Sequence, residues 1–288
     1  MRPGLAACTL AALALTADVA PARFAAAVAA PPSLSLAPDL PPTETETSTP
    51  PLTRAPDPAA ITALPVDDDL PAFVIRPSRT TRPSRTVFLT GSCTTPLTYR
   101  ERFREAAAAH GGIVALQGDT LCHDGSRRWS PDTIGTAARI DAALRAAGFD
   151  DLTDITLVGY SQGAERAEWL AHRFPAKYTR FVLMAGPILP SPARFADAHG
   201  IVTLAGYGDV RENMANGARR LRRGSIPAIY MELPGIQHGE LSPGANDVVA
   251  RAFDWLDANA RATRERGPRR VQASHRFGDP HPPKSMAR

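Results

Sequence analysis

The chain has 288 residues, with 33 Lys and Arg against 29 Asp and Glu, 28 Pro and only 3 Cys. That length suits one large domain or two small ones, and is enough to bury a substantial apolar core. The formal net charge of +4 comes from the C-terminus, where eight Lys or Arg between Arg261 and Arg288 face only Glu265 and Asp279; the remainder is slightly acidic, which argues against a fold built to bind nucleic acid.

At the N-terminus, Arg2 precedes the apolar run Leu5 to Leu15, and a small-residue site follows at Ala27-Val28-Ala29. Residues 1–30 therefore read as a secretory signal, because the run is too short to span a bilayer. The alternative is an uncleaved anchor. After cleavage no transmembrane segment is expected, and an exported location, periplasmic or secreted, follows. Cys8 lies near the start of the apolar run instead of at its end, the wrong place for a lipoprotein signal. Cleavage leaves Cys93 and Cys122. An even pair in an exported chain suggests one disulfide, with two buried thiols as the alternative. Residues 31–68 are rich in Pro, Thr and Ala and read as a disordered leader.

Structure is expected to begin near Leu70–Arg76, an edge strand, followed by a strand at Thr86–Thr90. A helix over Leu97–His110, a strand at Ile113–Gln117 and a polar loop from Gly118 to Asp132 come next, then a helix ending near Gly148. The segment Ile155 to Arg166 gives a strand, a turn with glycines on either side of a serine, and the start of a helix that runs to Phe174. Strands at Phe181–Ala185, Ile201–Ala205 and Ala228–Glu232 follow, with helices at Arg211–Arg223 and about Asn246–Ala260. Short apolar runs alternating with helical patterns indicate an α/β fold, a mainly parallel sheet with helices on both faces. Residues 69–262 form this expected domain. Residues 263–288 read as a basic disordered tail, suited at most to weak association with an anionic envelope.

In such sheets chemistry sits where the carboxyl ends of strands open into loops. Gly159-Tyr160-Ser161-Gln162-Gly163 lies at such an end. A sharp strand-to-helix turn lifts a serine Oγ clear of the sheet and aims helix amides at developing negative charge. Ser161 is the candidate nucleophile and needs a base and an acid. His238 follows the last strand. His110 and His199 precede glycines at helix ends, His172 reads as helix surface, and His275 and His281 lie in the tail. His123 is the competitor, but it precedes Ser161 in the chain. Asp209 follows the strand before His238 and can hold the imidazole tautomer; its alternative role is capping the helix from Arg211, and Glu212 is the fallback acid. For the oxyanion, the expected backbone donors are the N–H of Gln162 and that of Ser92, with Cys93 as the alternative. A Cys93–Cys122 bridge would lie beside that loop and stiffen it.

Strand, Gly-x-Ser-x-Gly and helix, in the chain order Ser161, Asp209, His238, resemble the α/β-hydrolase fold across about residues 70 to 260. The five motif letters also occur in cutinases and some acetylxylan esterases. The segment between Asp209 and His238 lacks the cysteine-bracketed loop of cutinases, and the whole looks more like the dienelactone-hydrolase and short-chain esterase branch. Thr90-Gly91 stands where that branch usually has His-Gly, and the first strand of the full fold is not evident. The connection 186–200 is too short for a cap domain, which implies an open site. The resemblance implies a serine hydrolase acting on a small-molecule or polymeric ester. A peptidase of the same fold and a non-catalytic binding protein on this scaffold are the alternatives. Trp129 is read as pocket lining or packing, and Glu165 and Arg166 as local structure. No Cys/His cluster at ligand spacing, P-loop or dinucleotide fingerprint occurs, so no metal or cofactor is expected.

Overall fold

A computed structural model describes residues 60–78, 81–235 and 237–266. The segment read as a signal, most of the Pro-rich leader and the tail from residue 267 lie outside the described residues. In chain order the elements are β1 (Ile61–Leu64), β2 (Ala72–Ile75), β3 (Thr86–Leu89), α1 (Arg100–Ala109), β4 (Ile113–Leu116), β5 (Thr120–Leu121), β6 (Arg127–Arg128) and α2 (Thr133–Ala146). Then come β7 (Ile155–Tyr160), α3 (Gln162–Arg173), β8 (Tyr178–Met184), β9 (Gly200–Ala205), α4 (Arg211–Arg223), β10 (Ala228–Glu232) and α5 (Ala245–Arg266).

Eight strands form one sheet in the order β1-β2-β4-β3-β7-β8-β9-β10. From β4 to β10 all pairings are parallel, while β1 with β2 and β2 with β4 are antiparallel. Every residue of β3, β4, β7 and β9 is buried. Strands covered on both faces have no solvent side, which is why they read as continuous Val, Ile and Leu runs. Their side chains alternate between two cores. Val87, Leu89, Leu157 and Leu183 pack with Ile140 of α2, Leu170 of α3 and Leu221 of α4. Phe88, Val158, Val182 and Val202 pack on the opposite face with Phe103 of α1 and Val249 of α5.

Several elements differ from the sequence reading. The first element among the described residues is β1, inside the stretch read as leader, and the strand expected at the edge is the second one. The four residues of β1 are half-buried at each end and exposed between, so no alternation marks them. They are held by pairing with β2, Ile61 opposite Ile75. The polar loop 118–132 contains the hairpin β5–β6, whose two-residue strands are too short to show a period. The first helix opens with a 3-10 turn at Pro96–Tyr99 and carries a break at Phe103, φ −148°. The last helix reaches Arg266, beyond the expected end of the domain.

The parallel strands set all their carboxyl ends on one side, where the loops after β3, β4, β7, β9 and β10 converge. The connection from β8 to β9 holds only a 3-10 turn at Pro192–Arg194 and no cap domain.

Candidate active site

Between β7 and α3 the chain turns at Ser161, with φ 51° and ψ −116°. A non-glycine residue there costs about 1–3 kcal/mol and persists only where its surroundings hold it. Two contacts explain how. Ser161 N–H donates to the Met184 carbonyl at 2.8 Å, and the flanking glycines allow close approach. A Cβ on Gly159 would sit 2.4 Å from the Gly163 carbonyl oxygen, and one on Gly163 would sit 2.1 Å from that of Leu89. The first turn of α3 is thus pressed onto β7 and β3 with no space for a methyl group.

His238 stands in the loop after β10, its side chain 48% exposed. Its Nε2 lies 3.0 Å from Ser161 Oγ and its Nδ1 2.7 Å from Asp209 Oδ1. With the Nδ1 proton directed at the carboxylate, Nε2 is left to accept the serine proton. Asp209 is only 6% exposed at its side chain. Its second oxygen accepts the Gly206 N–H at 2.6 Å. It does not cap the following helix: the cap position of α4 is Val210, without a side-chain bond. Of the competitors, Glu212 is exposed on the first turn of α4, and His123 is exposed on the β5–β6 turn beside Asp124. Among the described residues no hydrogen bond joins His123 to Ser161.

Tyr160, the residue before the serine, plays a part that sequence reading missed. Its hydroxyl accepts the Gly239 N–H at 2.7 Å, and its ring lies 5.6 Å from the His238 ring at 33°. Gly239 has φ +94°, a conformation that suits glycine. Burial pushes the Tyr160 phenol well above its ordinary pKa, against the opposing effect of the Gly239 bond, with the Asp209 charge adding to the rise. The phenol therefore stays neutral and available as an acceptor. Behind it lies Tyr99, at 4.8 Å between rings, its own pKa raised to about 12 by burial against a lowering bond with Thr94. No local signal in the sequence marks the Tyr160–Gly239 contact, because it joins residues 79 apart.

The loop after β3 runs against Ser161. A Cβ on Gly91 would lie 3.4 Å from Ser161 Cβ. Ser92 and Cys93 follow on that loop, both exposed, and Gln162 opens α3. Cys93 and Cys122 are joined by a disulfide across 29 residues. Trp129 is packed, at 3% exposure, with its indole N–H donated to the Thr90 carbonyl at 2.8 Å. It is core and not pocket wall. Glu165 pairs with Arg166 at 3.4 Å, and Arg166 also reaches the Ser130 carbonyl. Beside Gly239 a cleft of about 360 Å³ is bordered by Tyr99, Arg102, Glu240 and Ser242.

No family model matches the sequence, and no curated protein does either. Solved structures do. FphF, a fluorophosphonate-binding serine hydrolase of Staphylococcus aureus with substrate bound, superimposes with TM-score 0.50 at 13% identity, over 65% of this chain and 91% of that one. The chain has the α/β-hydrolase fold. A Bacillus cereus carboxylesterase gives TM-score 0.49 at 18% identity, covering 65% of this chain and 93% of that one. LpqC, a poly(3-hydroxybutyrate) depolymerase from Bordetella parapertussis, gives 0.46 at 21%, covering 71% and 94%. Ser161 stands in this fold on the turn between β7 and α3.

Proposed function

We propose that this protein is an exported serine hydrolase that cleaves carboxylic esters through an acyl-enzyme on Ser161, in the manner of the short-chain esterases of dienelactone-hydrolase type. The observation that carries this reading is the continuous line from Asp209 through His238 to Ser161, at 2.7 and 3.0 Å. His238 Nε2 takes the Ser161 proton as Oγ attacks the ester carbonyl. The carbonyl π electrons move onto oxygen, and the backbone N–H groups of Gln162 and Ser92 receive that oxyanion. When the tetrahedral intermediate collapses, the imidazolium returns the proton to the leaving alcohol oxygen. Water then attacks the acyl-enzyme with His238 again as base, releasing the acid and restoring Ser161. Asp209 holds the imidazole and stabilises its charged form.

An open site supports ester chemistry over more selective roles, since among the described residues His238 stays half-exposed. Of the exposed large apolar side chains, Leu97, Leu189, Tyr207 and Val210 lie in the connections that follow β3, β8 and β9, Leu121 lies in β5 and Ile134 on the first turn of α2, the two elements that follow β4. Such a rim suits an apolar or polymeric ester better than a charged peptide. The disulfide, together with the N-terminal signal pattern, supports export into an oxidising compartment.

The test is labelling with a fluorophosphonate probe. Folded protein is expected to take up one label on Ser161, and His238→Ala to slow labelling by orders of magnitude. No label on folded wild-type protein would leave a binding protein on a hydrolase scaffold as the better account.

A further inference from the structure

The two expected oxyanion donors stand on separate elements, Gln162 on α3 and Ser92 on the loop after β3. A hole built from two elements works only if their spacing is fixed before reaction. The Ser92 N–H also sits next to Gly91, which has no side chain to restrict its backbone. Something must hold both.

Trp129 touches both elements. Its backbone N–H donates to Gln162 Oε1 at 2.9 Å, and its carbonyl accepts from Gln162 Nε2 at 3.1 Å. This two-bond grip fixes the side chain of the very residue whose amide faces the oxyanion. The Trp129 indole N–H holds the Thr90 carbonyl, half of the Thr90–Gly91 peptide plane, at 2.8 Å. The next plane, Gly91–Ser92, carries the donor N–H at its other end, and its carbonyl accepts from Thr94 Oγ1 at 3.1 Å. Thr94 is in turn paired with the segment leading to Trp129, its N–H on the Arg127 carbonyl at 3.2 Å, and the disulfide at Cys93 joins the same segment. Trp129 itself cannot swing. The Arg139 guanidinium lies 5.6 Å from its ring centre, and Asp119 anchors the adjacent Ser130 through both N–H and hydroxyl, at 2.7 and 2.5 Å.

We propose that Trp129 is a positioning residue that sets the spacing of the two oxyanion donors, holding Gln162 with its backbone and Thr90 with its indole. This rests on the acyl-transfer reading of Ser161. Trp129 does not touch the reacting atoms; it acts through Gln162 and the Gly91–Ser92 loop. Loss of one grip leaves substrate binding in place and lets the hole loosen, so the transition state suffers more than the ground state.

Two variants test this in the full chain. Trp129→Phe keeps an aromatic ring in the core and removes the indole N–H, while Gln162→Met keeps the length of that side chain and removes the grip on the Trp129 backbone. With p-nitrophenyl butyrate, each is expected to lower kcat roughly 10- to 100-fold with KM changed less than about threefold. A trifluoromethyl ketone, which adds Ser161 to form a tetrahedral oxyanion, should lose affinity by the same factor as kcat/KM. The matching secondary alcohol, which forms no oxyanion, should bind as to wild type. Variants that melt earlier but keep wild-type kcat and ketone affinity would overturn the proposal and leave Trp129 as packing only. If Trp129→Phe does not fold, Gln162→Met decides by the same readouts, since it leaves the indole contact intact. Fluorophosphonate labelling of wild-type Ser161 separates the two failures. Without a label the hydrolase reading falls, whereas a labelled enzyme with unaffected variants sinks only the role of Trp129.

Discussion

The two sides of the candidate site are held in different ways. On one side, Ser161, Asp209 and His238 follow the carboxyl ends of β7, β9 and β10 in one parallel sheet, and their positions follow from the sheet itself. On the other, the Thr90–Thr94 loop has no such support. It is fastened from outside by the segment 118–130, through a disulfide, a β-bridge and the indole of Trp129. The candidate nucleophile and base depend on regular βα architecture, and the proposed oxyanion loop on long-range cross-links. Perturbing the first side should therefore change chemistry with little change in stability, while perturbing the second should change both.

The largest effect is expected on the first side. Asp209→Asn keeps the shape but favours the wrong imidazole tautomer, and should lower kcat by about 10⁴-fold with an almost unchanged Tm. A comparable fall in Tm would show that the carboxylate is mainly structural. Next comes the second side. Replacing both Cys93 and Cys122 by Ser opens a loop of 29 residues and should cost about 2–4 kcal/mol in chemical denaturation. Turnover should fall by less than about tenfold, because the Trp129 contacts remain.

Tyr160→Phe lies between the two sides. It removes the acceptor of the N–H of Gly239, an exposed residue, at a cost of about 0.5–1.5 kcal/mol, and frees the His238 loop. Calorimetry should show the loss, and amide exchange at Gly239 should quicken. Identical exchange in both proteins would mean that the tyrosine does not hold this loop.

The smallest effect concerns acid stability of the bracing segment. Burial tends to raise the pKa of Asp119, but bonds from the Ser130 hydroxyl and N–H and from Thr120 outweigh it and hold the group below its ordinary 3.8. Its folded pKa is depressed, so the ionised form contributes stability above about pH 3.8, lost as pH falls through the folded value. Asp119→Asn should flatten the acid limb of the stability–pH curve below about pH 4. A limb as steep as in wild type would mean that other carboxylates dominate.

The same division governs what could be read from the sequence. Where βα units repeat, the boundaries of α4 and β10 agree with the sequence reading residue for residue, because apolar runs and a basic helix surface are local signals. Asp209 and His238 could be selected because each is the right residue type just past a strand. The bracing side gave weaker local signals. β1 is too short and half-exposed, and β5 and β6 hold two residues each. Trp129 was legible only as an aromatic in a loop, since its meaning depends on Thr90 and Gln162, 39 and 33 residues away. The contact of Tyr160 with Gly239 was hidden for the same reason. Periodicity reports burial and spacing along the chain, and has no means of reporting a bond between a loop and a distant strand end.

The central claim is that Ser161 forms a covalent acyl intermediate. Its most direct test is rapid acid quench of the enzyme with excess p-nitrophenyl butyrate, followed by intact mass and peptide mapping. We predict a mass increase of one butyryl group, located on the peptide containing Ser161, which disappears in Ser161→Ala. Turnover that persists in Ser161→Ala, or an acyl group found on another residue, would contradict the account.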